Sequence, residues 1–205
     1  MHFSCFFVLL LGPASLAQEP EKQPFHVPAP KGWGKEAIKL PPAFARDVRW
    51  KGIEELRFAP DWLKAGSDNF FSYAMLFWLP EDEKIDAKTM ERELLAYYRG
   101  LAKAVLGNRK KDVDVSKFTL TVKKAEEKAI KRPGGETVTA YVGELKWIEP
   151  FTTMQSQTLR FEIQTWEAPK HKRHCVFICA SPQPEKAAVW KALRDLRVGV
   201  THPGP

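Results

Sequence analysis

A chain of 205 residues is long enough for one domain with a substantial core, which excludes dependence on disulfide staples. Lys and Arg number 32 against 25 Asp and Glu, a net charge of +7 that biases the surface toward acidic partners: polyanionic glycans, anionic headgroups or nucleic acid. No specific nucleic-acid motif accompanies that charge, and no apolar run reaches the ~20 residues that span a bilayer.

Residues 1–17 read as a signal peptide. Phe3 to Leu11 is the apolar stretch, and Ser15-Leu16-Ala17 supplies small residues for cleavage, so a soluble product exported to the periplasm or the extracellular space is expected. Residues 18–43 hold Pro20, Pro24, Pro28, Pro30, Pro41 and Pro42 and form an extended arm, with an edge strand over Ala37 to Leu40. Trp33, Phe44 and Trp50 suggest that the arm packs on the domain. Gly32-Trp33-Gly34-Lys35-Glu36-Ala37 fits a loose dinucleotide pattern, but no strand feeds it, so it is rejected.

One domain is expected over residues 44–198, organised around Asn69 to Leu106. Ile53 to Phe58 is a strand, and Ser67-Asp68-Asn69 is a turn rather than an element of a serine enzyme, because S-x-x-K and K-T-G are missing. Phe70 to Leu79 is apolar on both alternating faces, so it belongs in the middle of a sheet, and Pro80 ends it. Asp86 is the N-cap of a helix whose stripe is Met90, Leu94, Tyr97, Leu101 and Val105, with Gly107-Asn108 as its left-handed stop.

Three strands follow around Phe118–Val122, Val138–Ile148 and Leu159–Thr165. In the last of these Arg160, Glu162 and Gln164 face away from Leu159, Phe161 and Ile163. A fourth strand, Cys175 to Ala180, is interior, and Ser181-Pro182-Gln183-Pro184 opens a final helix with Val189, Trp190, Leu193 and Leu196 inward. Residues 199–205 are a frayed tail. The order ββαββββα with short connections predicts an α+β fold: an antiparallel sheet with two helices packed on it.

Cys175 and Cys179 lie four apart on one strand face, about 13 Å between Cα atoms, too far for a disulfide. They are expected as buried small hydrophobes. His171-Lys172-Arg173-His174-Cys175 carries metal-ligand residue types, but residues three apart on a strand point to opposite faces and the basic pair repels a cation. No metal or cofactor is expected, and no catalytic signature is complete.

The meander places its first and third turns at one end of the sheet. Lys128, Lys131, Arg132, Lys170, His171, Lys172 and Arg173 then form a basic rim, a candidate dock for an acidic polymer or envelope component. Trp147 or Trp166, if exposed beside it, would stack on sugar faces. The expected function is a non-enzymatic binding or accessory domain; the alternative is an exported hydrolase whose site assembles only in the fold. Phe58-Ala59-Pro60-Asp61-Trp62, Phe70-Phe71-Ser72-Tyr73, Phe77-Trp78-Leu79 and Ser181-Pro182-Gln183-Pro184 with Trp190 resemble a group of uncharacterised exported bacterial proteins, over most of residues 31–198. The element order also resembles the Mog1/PsbP-like sandwich, which implies a binding or scaffold module.

Overall fold

The computed structural model describes residues 25–126 and 130–202, so the expected signal peptide and Lys128 lie outside the described residues. Its elements are β1 (Gly34–Leu40), β2 (Gly52–Phe58), β3 (Tyr73–Pro80), α1 (Ala87–Asn108), β4 (Thr119–Lys124), β5 (Ile130–Lys131), β6 (Thr137–Ile148), β7 (Ser156–Ala168), β8 (Arg173–Ser181) and α2 (Ala188–Val198). The strands form one antiparallel sheet in the order β1-β2-β3-β8-β7-β6-β4, with the short β5 paired to β6. The α+β class and the ββαββββα order expected above are both observed, with β1 as the additional N-terminal strand.

β3 is interior, between β2 and β8, as its two apolar faces require. Tyr73, Met75, Phe77 and Leu79 meet Met90, Leu94, Tyr97 and Tyr98 of α1. Ala74, Leu76 and Trp78 face the other way, toward Val189, Trp190, Leu193 and Leu196 of α2. Two helices on opposite faces bury both sides of one strand, and each large apolar side chain so covered contributes about 1.5–3 kcal/mol. Cys175 and Cys179 are free, fully buried and on the α2 side. Among the described residues, no helix is long and apolar enough to cross a membrane.

Four boundaries differ from expectation. β3 starts at Tyr73 rather than Phe70, because Phe71 adopts a left-handed φ of 50° and its ring packs among Trp62, Tyr73, Trp147 and Phe151. α1 runs through Gly107-Asn108, and the left-handed residue is Lys110, whose neighbour Lys111 donates back to the Leu106 carbonyl. α2 starts at Ala188, not at Ser181. Residues 181–187 are held open instead by Ser72 and Ser181 hydroxyls 2.7 Å apart and by Trp190 Nε1 donating to the Gln183 carbonyl at 3.0 Å. The tail is not frayed over 199–202: Val200 is buried, and Thr201 exchanges two backbone hydrogen bonds with His26.

The arm also packs. Phe25 and Val27 are buried on the α2 side, the Phe25 ring 5.1 Å from that of Trp78. The buried Arg57 guanidinium donates to the Pro28 carbonyl at 3.0 Å and the Val27 carbonyl at 2.8 Å.

Candidate functional site

The antiparallel pairing sets the β4–β6 and β7–β8 connections at the same end of the sheet. The seven candidate rim residues do not all become solvated cations there. Lys170 and Lys172 are exposed, while His171 and Arg173 are half-buried. Lys131 lies on β5, paired with Thr137. Arg132 turns inward: it is buried, stacks 4.0 Å over the Trp166 ring, and donates to the carbonyls of Arg197 at 3.1 Å and Val200 at 2.7 Å. Pro80 pairs with Arg173, so the exposed Glu81 and Asp82 leave the sheet beside the basic turn and offset its charge. Trp147 and Trp166 are buried, so neither is free to stack on a sugar.

A second surface has more structure. α2 lies over β8 and β3, which leaves β7, β6 and β4 largely uncovered on that face. The step between helix and bare sheet is a groove of about 820 Å³. Its floor carries the outward positions of the strands: Arg160, Glu162 and Gln164 of β7, Val142 and Glu144 of β6, and Lys123 of β4. Arg194 and Arg197, one helical turn apart, form the α2 wall.

The cations are fixed in place. Arg194 reaches both oxygens of Glu162, with Nε at 3.1 and 3.0 Å and Nη2 at 2.5 Å, a fork geometry suited to carboxylates. Arg197 Nη1 reaches the same carboxylate at 3.4 Å. Arg160 Nη1 donates to the Pro182 carbonyl at 3.0 Å. The hydrogen-bonded Glu162 raises the Arg194 pKa, so this guanidinium stays charged. Gln164 is only 8% exposed and lines the groove.

These groove residues were only half legible in the sequence. The alternation of β7 set Arg160, Glu162 and Gln164 on one face, as expected. That α2 would stop short of them, and that Arg194 would meet Glu162, depends on packing between elements far apart in the chain.

A hydrolase site would need a histidine held by an acid, or two close carboxylates in a concave pocket. His202 accepts from Trp166 Nε1 at 2.9 Å, and the His171 ring rests against Trp78. Glu36 and Glu54 interact through charge, and Glu54 lies in the core beneath α1 rather than in the groove. Among the described residues, no three ligand-type side chains gather as a metal site. Comparison with known proteins finds no family model, no curated protein and no solved structure that matches this chain.

Proposed function

We propose that this chain is an exported, non-catalytic binding domain that docks an anionic polymer in the groove between α2 and the uncovered strands β7, β6 and β4. The observation that carries the reading is the groove itself, where Arg160, Arg194, Arg197 and Lys123 outnumber Glu144, Glu162 and Glu185 around the side chain of Gln164. The overall charge of +7 adds long-range attraction for such a partner. The pattern of residues 1–17 supports export, and the resemblance to a Mog1/PsbP-like sandwich is in keeping with a binding role.

The test is fluorescence anisotropy with a labelled heparin-like sulfated oligosaccharide at two salt concentrations. Binding is expected to weaken as salt rises, and Arg160→Ser with Arg194→Ser is expected to weaken it about tenfold or more. Lys170→Ser with Lys172→Ser is expected to leave it nearly unchanged. Loss in the lysine pair alone moves the dock to the hairpin rim. No binding by a folded wild-type chain overturns the anionic-polymer reading.

A further inference from the structure

The two ends of the described chain meet at the same end of the sheet as the β7–β8 turn. His26 and Thr201 form a two-bond antiparallel bridge, with distances of 2.8 and 3.0 Å. The next residue, His202, inserts its ring among Trp78 of β3, Trp166 of β7, Cys175 of β8 and His171 of the turn before β8. Its short anchor is the bond from Trp166 Nε1 to His202 Nε2 at 2.9 Å, with the Cys175 sulfur a weak partner of the same nitrogen at 4.0 Å.

An indole N–H can only donate, so His202 Nε2 must carry a lone pair. The imidazole in this position is therefore neutral, with its proton on Nδ1. Nδ1 is itself buried and, among the described residues, has no partner. A second proton would sit on Nε2, facing the indole N–H, with the Cys175 sulfur 4.0 Å away as the weak alternative acceptor.

The charges around the ring divide unequally. Arg132 and His171 oppose a positive charge on His202, and Glu136 favours it from beside Arg132. The Trp78 face favours it modestly. Burial is the largest influence and also opposes it.

We propose that the paired termini are an acid-released clasp, in which neutral His202 is the hydrogen-bond acceptor that holds the tail, and through the His26–Thr201 bridge the arm, over Trp78 and Trp166. Acidification removes the acceptor and adds a cation beside Arg132. The tail and arm then leave, and the Trp78 and Trp166 indoles become accessible while the sheet stays folded. The sign follows from the depressed pKa: the clasp is at full strength above the ordinary histidine value near 6.5 and is lost as the pH falls below it.

The experiment is amide hydrogen exchange on the purified full chain, read as protection relative to the free-peptide rate at each pH. Protection at His26 and Thr201 is expected to fall about tenfold or more between roughly pH 7 and pH 5, while Met75 and Ile178 of the central strands keep theirs. His202→Gln retains an acceptor for Trp166 and does not titrate, so its protection is expected to be independent of pH over this range. His171→Gln removes one of the opposing charges and so brings the clasped His202 closer to its released value, which weakens the acid drive; release is expected at lower pH than in wild type, while His26→Gln keeps the wild-type midpoint. Loss of protection in His202→Gln with the wild-type midpoint overturns the proposal. So does wild-type protection that persists through this range, or loss that occurs together with that of Met75 and Ile178.

Discussion

Glu54, Glu93 and Glu149 are each no more than 1% exposed, yet their surroundings differ sharply. Glu149 accepts from the backbone N–H groups of Phe151, Thr152 and Thr153 and from the Thr153 hydroxyl, and so caps its own loop. Glu93 accepts from the N–H groups of Arg49 and Trp50 and pairs with Arg92. Glu54 has no hydrogen-bond partner at either oxygen among the described residues. Burial pushes its pKa up to about 8; the nearby Tyr97 hydroxyl opposes this without reaching hydrogen-bond geometry, and Glu36 adds to it. The folded state therefore keeps a proton that the unfolded chain gives up near the ordinary value of 4.5. Stability falls as pH rises from about 4.5 to about 8, and the full penalty applies above that. Glu54→Gln is expected to remove this slope, so its melting temperature exceeds that of wild type most at alkaline pH. Parallel melting curves for the two across this range would show that Glu54 does not titrate on unfolding. The sequence places Glu54 and Glu55 on opposite faces of β2, as found; which of the two is buried depends on where α1 lands, and Glu55 instead pairs with Arg57 at 2.7 Å.

At the scale of elements, α1 is the most legible part of the chain. Asp86 caps it, its carboxylate accepting from the Thr89 N–H at 2.7 Å, and Met90, Leu94 and Tyr97 of the expected stripe are buried, while Leu101 and Val105 are half-buried and Tyr98, Ala102 and Leu106 take the inward places. Helix periodicity requires only a local count, which the sequence contains. The start of α2 was less legible, because Pro182 and Pro184 fit a first helical turn as well as they fit the irregular segment that Trp190 and Gln183 hold. Gly100 is a further feature that periodicity does not reveal. A Cβ there would come within 2.5 Å of the Phe44 carbonyl oxygen and 2.6 Å of the Ala45 Cβ, so the glycine lets the loop before β2 lie against the helix. Helix propensity alone favours alanine by about 1 kcal/mol. The overlap with backbone outweighs this, and Gly100→Ala is expected to destabilise by about 1–3 kcal/mol in urea unfolding. A stabilised variant would mean that the loop withdraws at little cost.

For the whole molecule, short antiparallel connections made the meander of β4, β6, β7 and β8 accessible from sequence, while the pairing of β3 with β8 and the assignment of helices to faces were not. The groove exists because α2 is short and covers β8 and β3, and the charge of the rim is offset because β3 exits beside β8. Both facts arise from the pairing of distant strands. The arm makes a related contribution: Phe25, Val27 and Pro28 cover Trp78 and satisfy Arg57. A chain that begins at Lys31 is expected to melt well below one that begins at Gln23, since it bares an indole and leaves the buried guanidinium short of two acceptors. Equal melting temperatures would make the arm an ornament of the surface.

The pairing of β3 with β8 also governs the order of assembly. Tyr73–Pro80 lies beside Arg173–Ser181, so the central seam of the sheet joins segments about 100 residues apart, a loop closure that local hairpins do not face. A chain that emerges N-terminus first, from a ribosome or a translocation pore, can pair β1, β2 and β3 early. It cannot cover the open edge of β3 until β8 is out, and α2 has nothing to lie on before then. Vectorial folding of the sheet is therefore held back until β8 emerges. Until then the apolar β3 edge is open, and it is the segment a holding chaperone would have to shield.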